Sequence, residues 1–252
     1  MGYSVDHLVF FVDNLDVATV DFTTLGFRVT PGGTHAGGLT ENALILLPDG
    51  TYIELLGFTV PLRTLQQVER RTALDHRFVP RGLAGEGFRD FACGTAALQP
   101  AVDRARAAGV EVNGPFPGGR RRPDGTDLAW ELAFPADSAL PFLIEDVTDR
   151  ALRVPGGEAA RHPNGAAGIA ELVVRTNDTD GAVDSYRKLF GDAAVVSEGA
   201  ASFHLTNGAI TIQPGDGNSV RLHTSVEGAA GTFECHGVEI ELAGGAGTLP
   251  YL

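Results

Sequence analysis

Apolar and polar positions along the chain repeat one pattern three times. Residues 6–12 are an apolar run of strand length. Asp13-Asn14 offers an N-cap, and Leu15, Ala18, Phe22 and Leu25 recur at helical spacing as far as Gly26, a C-terminal cap. Residues 27–30 read as a short strand, and the glycine-rich 31–38 as a loop. Residues 43–47 and 51–58 flank Asp49-Gly50, a hairpin signal. The unit 5–58 is therefore βαβββ.

After a helix expected over 62–71 the pattern restarts at Gly87, giving a second unit over 87–147. Its first strand is 88–93. Thr95 is placed to cap a helix carrying Leu98, Val102, Ala105 and Ala108, which ends at Gly109. A short strand at 110–112, a Pro/Gly/Arg loop, and strands at 127–134 and 141–147 complete it. Residues 149–166, rich in Arg, Gly, Ala and Pro, read as a linker. A third copy follows in 167–252: a strand at 169–176, a helix ending at Gly191, and strands at 201–205 and 209–213 around Asn207-Gly208. Strand-like runs at 220–224, 232–235 and 238–242 either finish that sheet or form a partial fourth copy. In each copy about twenty residues separate the first strand from the glycine ending the helix, and such a unit needs a neighbour to cover its open face.

Composition narrows the functional classes. A net charge of −13 argues against a nucleic-acid binder, which needs a basic face to neutralise phosphates. No apolar run reaches the roughly 20 residues of a membrane span, and the N-terminus lacks the basic start and apolar core of a signal peptide, so a cytoplasmic protein is expected. Two cysteines, Cys93 and Cys235, make no disulfide framework. The single lysine, Lys188, falls on the polar side of a helix, which disfavours Schiff-base chemistry. No Ser-His-Asp arrangement, phosphate loop or dinucleotide fingerprint is present.

Several segments resemble the vicinal oxygen chelate superfamily, in its glyoxalase-like branch. In the first unit they are Asp6-His7-Leu8-Val9, Leu25-Gly26-Phe27-Arg28-Val29, Pro31-Gly32-Gly33-Thr34-His35, Thr40-Glu41-Asn42-Ala43-Leu44 and Asp49-Gly50-Thr51-Tyr52-Ile53-Glu54-Leu55. In the second they are Arg120-Arg121-Arg122-Pro123-Asp124-Gly125, Leu128-Ala129-Trp130 and Leu140-Pro141-Phe142-Leu143-Ile144-Glu145, with Arg161-His162-Pro163-Asn164-Gly165 beyond. The resemblance implies an α+β fold of repeated βαβββ units forming cupped, mostly antiparallel sheets around one site. It implies no single reaction, because the superfamily spans isomerases, ring-cleaving dioxygenases, epimerases, transferases and drug-sequestering proteins.

The superfamily's metal sites take one ligand from a unit's first strand and a carboxylate from its last. The resemblance therefore implies His7 and Glu54 as ligands, with Glu145 at the matching last-strand position of the second unit; Phe88 or Arg89 at the first-strand position is not a ligand. Antiparallel neighbours about 4.8 Å apart would bring the first two together. Imidazole with carboxylate suits Zn, Ni, Mn or Fe, and a metal-free member is equally compatible. Pairing of the first unit with the third would instead gather His7, Glu54, Glu171 and Gln213; consecutive packing favours the first and second units.

Glu54, His35 and Glu145 are the candidate proton-transfer groups, His35 because the adjacent glycines let its loop fold over the site. Asn42 can orient His35 or a substrate carbonyl, and Arg121, from the run Arg120-Arg121-Arg122, can clamp an anion. Trp130 and Phe142 can line the cup. The expected function is a small-molecule lyase or isomerase acting through chelated vicinal oxygens or a stabilised enolate. The alternative is a metal-free protein that binds an antibiotic or natural product. The partner is a small molecule, with no nucleic acid and no membrane, and a homodimer is compatible.

Overall fold

The computed structural model describes residues 2–35, 37–122, 125–191, 194–197, 199–224 and 230–243. β1 (Ser4–Phe11), α1 (Leu15–Thr24), β2 (Thr30–Thr34), β3 (Thr40–Leu46) and β4 (Tyr52–Phe58) form the first unit. A 3₁₀ turn (Leu62–Gln67) and α2 (Ala73–Leu83) follow. The second unit is β5 (Gly87–Gly94), α3 (Leu98–Ala107), β6 (Val112–Arg121), β7 (Asp127–Pro135) and β8 (Phe142–Asp146). The short helix α4 (Arg150–Arg153) and a 3₁₀ turn (Gly157–Ala160) lead into β9 (Ala166–Thr176), α5 (Thr179–Phe190), β10 (Ala194–Ser197), β11 (Ala200–Leu205) and β12 (Gly208–Pro214). β13 (Ser219–Thr224), β14 (Gly231–Cys235) and β15 (Val238–Ala243) form a shortened fourth unit in the same sheet as the third. The architecture is α+β.

The first two units share an eight-stranded sheet, ordered β2-β3-β4-β1-β5-β8-β7-β6. They join where β1 runs antiparallel to β5. Most pairs are antiparallel, but the first and last strands of each unit are parallel: β1 with β4, with His7 opposite Tyr52, and β5 with β8. His7 and Glu54 are thus neighbours across a parallel pair, a correction to the expected antiparallel one. Both point to the same face because side chains alternate with period two.

Three local expectations change. The strand expected at 27–30 starts at Thr30 and runs through Pro31-Gly32-Gly33. The loop expected after 112 is a strand as far as Arg121. Both are the sheet's edges, where proline removes no ladder bond that a neighbour needs. The sheet curls until these edges approach each other, and this makes the cup. The helix expected over 62–71 is a 3₁₀ helix over Leu62–Gln67, and a separate α-helix follows: Thr72 and Asp75 form a capping box that starts α2, which tolerates Pro80 in its last turn.

The convex face of this sheet packs with α1, α3 and α5 and the second sheet through Leu8, Phe10, Phe22, Phe91, Leu143, Ile169 and Tyr186. Each such side chain stabilises by roughly 1.5–3 kcal/mol. The concave face carries a separate cluster, Val9, Phe11, Leu56, Trp130, Phe134, Phe142 and Ile144, covered by Phe78 of α2. α2 is therefore the roof of the cup.

Candidate active site

His7 stands on β1 directly after a bulge at Asp6 in the pairing with β5. The bulge lets two consecutive side chains meet: His7 Nδ1 lies 2.7 Å from Asp6 Oδ1. Burial raises the Asp6 carboxyl, but the Arg153 charge and hydrogen bonds from His7 and Arg153 outweigh it, and the group sits well below the usual carboxylate range. Arg153 donates to Asp6 Oδ1 at 2.8 Å and Oδ2 at 2.9 Å, to Asp146 and to the Tyr52 hydroxyl. Arg150 also donates to Asp6. Ionised Asp6 can only accept, so His7 Nδ1 donates and Nε2 is turned toward the cup. The imidazole is stacked on Tyr52 at 4.5 Å and meets the edge of Phe142.

Glu54, on β4, is the buried carboxylate of the cup. Its Oε2 is 3.7 Å from His7 Nε2, and its Oε1 is 3.4 Å from His35 Nε2. Asn42, on β3, donates to Oε1 at 2.5 Å. His35 is positioned by Thr40, whose hydroxyl is 2.9 Å from Nδ1. Burial lowers the His35 imidazole below its usual range, more than the Glu54 charge raises it. Arg120, on β6, reaches across the closed cup and donates to Asn42 Oδ1 at 3.4 Å. Burial lowers its guanidinium, and it makes no carboxylate ion pair among the described residues. Gly32 permits this approach: a Cβ there would lie 1.9 Å from Asn42 Oδ1 and 2.8 Å from Arg120 Nη1.

These groups enclose a cavity of about 40 Å³, walled by Tyr52, Trp130 and Phe142 and roofed by Leu74 and Phe78. Of the residues expected at the site, His7, His35, Asn42, Glu54, Trp130 and Phe142 line it. Two do not. Glu145 faces the convex side, where its Oε2 accepts a 2.7 Å hydrogen bond from the Leu98 amide. The α3 N-cap is Ala97, which has no side-chain acceptor, and Glu145 takes that role. Arg121 is exposed beside Asp127; its neighbour Arg120 points inward. Glu171 is on the second sheet, bonded to Thr211 and Arg221, so the set of His7, Glu54, Glu171 and Gln213 is not assembled.

The ligand set His7, Glu54 and Glu145 is therefore not assembled either. His35 takes the third place, but each imidazole faces a different oxygen of Glu54, Asn42 occupies Oε1, and Arg120 and Arg153 line the same cavity. Among the described residues no three His, Cys, Asp or Glu side chains form a group that could hold a metal ion. The residues present do not fit a resident metal.

A cupped sheet of paired βαβββ units with its polar residues at the centre of the concave face defines a glyoxalase-like protein. The family model described as a glyoxalase-like domain matches residues 5–190, and the chain belongs to that family, within the vicinal oxygen chelate fold. No curated protein matches it. Among solved structures, a hypothetical protein from Staphylococcus aureus aligns with a TM-score of 0.80 at 19% identity, covering 96% of this chain and 99% of that one. The Mn(II)-bound glyoxalase from Novosphingobium aromaticivorans aligns at 0.55 and 13% identity, over 94% and 80% of the two chains. A mutant of 4-hydroxymandelate synthase from Streptomyces coelicolor aligns at 0.53 and 15% identity, over 90% and 71%. At these identities the likeness is one of fold. Among the described residues no helix is long and apolar enough to cross a membrane.

Proposed function

We propose that the protein is a small-molecule enzyme of the isomerase or lyase type, in which Glu54 moves a proton to and from a carbon beside a carbonyl or carboxylate. The observation that carries this reading is the Glu54 carboxylate flanked by two imidazole nitrogens, at 3.7 and 3.4 Å, and sharing its cavity with Arg120, a cation with no carboxylate of its own among the described residues. Such a carboxylate can accept a proton from carbon, and the guanidinium can hold the oxygen on which negative charge develops.

In the forward step the C–H bond breaks, its proton goes to Glu54, and the electron pair moves onto the substrate oxygen facing Arg120. Return of the proton to the other carbon or the other face completes an isomerisation; loss of a leaving group from the neighbouring carbon completes an elimination. His7, oriented through Nδ1 by Asp6, and His35, oriented by Thr40, are placed to pass protons at their Nε2 atoms. Tyr52, Trp130, Phe142 and Phe78 exclude water, which strengthens each of these interactions.

The test is proton exchange with solvent. In deuterated water, small 2-oxo acids such as pyruvate and 2-oxobutanoate should exchange their C3 protons in the presence of the enzyme, whereas acetone, which has the carbonyl oxygen but not the neighbouring carboxylate oxygen that a planar guanidinium holds together with it, should not. No exchange above buffer for any acid, or equal exchange of acetone, overturns the reading. A second reading, a protein that binds an antibiotic or natural product without turnover, draws support from the aromatic walls of the cup. It predicts recovery of ligand with no exchanged proton.

A further inference from the structure

The inner cavity, at about 40 Å³, has room for only a few non-hydrogen atoms. It does not end there. A groove of about 390 Å³ shares His35, Leu74, Trp130 and Leu132 with it, and runs between the first turn of α2 and the β6–β7 ribbon. Its walls are apolar, chiefly Phe116, Trp130 and Phe134. Gly118 keeps the passage against Trp130 clear, since a Cβ there would lie 2.3 Å from the indole nitrogen. A further groove of about 630 Å³ shares Phe116, Phe134 and the Arg71–Ala73 turn with this one. The three form one continuous track leading outward from Glu54.

The outer section is charged, and with one sign. Arg71, His76, Arg77 and Arg81 line it, and no Asp or Glu does among the described residues. Arg77 and Arg81 converge on one buried carboxylate, Asp90: Arg77 donates to both oxygens at 2.7 and 2.8 Å, and Arg81 Nε is 2.8 Å from Oδ2. Two guanidinium groups against one carboxylate leave one positive charge uncompensated in the groove wall. Arg71 adds a second cation, whose ion pair with Glu69 is exposed and therefore weak. A chain of net charge −13 thus presents a cationic end to this one track.

We infer that the outer groove is a second anion site, and that the substrate is an elongated acid. Its reacting head would lie at Glu54, its apolar body along Phe116, Trp130 and Phe134, and a remote carboxylate or phosphate at Arg71 and Arg81. The assignment of the head rests on the proton-transfer reading; the outer anion site does not.

Trp130 is the chain's only tryptophan and lines both the inner cavity and the apolar groove, so its fluorescence reports occupancy. The probes are linear α,ω-dicarboxylates from octanedioate to hexadecanedioate, each against the monocarboxylate of equal length. Apolar burial alone favours the monocarboxylate. The proposal expects one span of dicarboxylates to bind at least about tenfold more tightly than their partners, the scale of one charge-assisted contact. Arg81→Gln should remove that advantage. Arg71→Gln, an exposed position, should reduce it in the same direction and gives the reading if Arg81→Gln fails to fold. Equal affinity for the two series at every length, an advantage unaffected by both substitutions, or no change in fluorescence overturns the proposal. Exchange of short 2-oxo acids at Glu54 is read separately, so the two failures are distinguishable.

Discussion

Glu145 caps the first turn of α3, with its Oε2 2.7 Å from the Leu98 amide nitrogen, on the opposite face of the sheet from Glu54. Its role is structural. Glu145→Ala should lower stability by about 1 kcal/mol, the scale of one half-buried hydrogen bond, measured by urea unfolding. Exchange of 2-oxo acids should be unchanged. A loss of exchange with unchanged stability would put Glu145 back in the chemistry.

The same geometry bears on metal. With Glu145 on the helix side and Asn42 on Glu54 Oε1, the described residues of the cup form no three-donor set for a resident ion. Elemental analysis of the purified protein should find well below one Zn, Ni, Mn or Fe per chain, and chelator treatment should leave exchange intact. One ion per chain that is lost in both His7→Gln and Glu54→Gln would contradict this.

Asp6 makes stability depend on pH. Its carboxyl is buried, yet the Arg153 charge and the bonds from His7 and Arg153 hold it well below the usual value. A carboxyl depressed in the folded state contributes stability that is fully present above its unfolded value, about pH 4, and is lost as the pH falls through the folded value. Asp6→Asn should therefore cost about 3 kcal/mol at neutral pH, as for breaking a buried pair. It should also flatten the decline of stability below about pH 4. Denaturant unfolding as a function of pH measures both.

Gly32 lets Asn42 and Arg120 meet across the closed edges of the cup. Gly32→Ala should force both side chains away and reduce exchange by about tenfold or more, because misplacing a positioning group by a fraction of an ångström is costly. Gly156→Ala, where the backbone is extended and a Cβ would meet nothing within 4 Å, controls for general effects on the chain and should leave exchange intact.

Much of the fold was legible because strand–helix–strand–hairpin passages repeat at a constant spacing and are punctuated by glycine caps and Asx-Gly turns. His7 and Glu54 were legible through the resemblance, which assigns ligands to the first and last strands of a unit, and Asn42 through its place at the start of the strand after the His35 loop. The misses have local causes. Pro115, Pro117, Gly118 and Gly119 make β6 look like a loop; once that segment is read as a loop, the alternation that separates inward Arg120 from outward Arg121 is lost. Glu145 matches Glu54 in sequence, but a helix start with alanine at its N-cap draws it to the other face. Arg153 lies in a segment whose composition suggests a linker, and nothing near it in sequence indicates Asp6 and Asp146 as its partners.

The central claim is that Glu54 carries the proton, and one comparison tests it most directly. The rate at which the C3 protons of a 2-oxo acid exchange into deuterated water is measured for the wild-type chain and for Glu54→Gln, which keeps the shape of the side chain but not its basicity. The account predicts a loss of about 100-fold or more, with binding of the same acid, followed by Trp130 fluorescence, changed by less than about threefold. Equal exchange rates in the two proteins would contradict it.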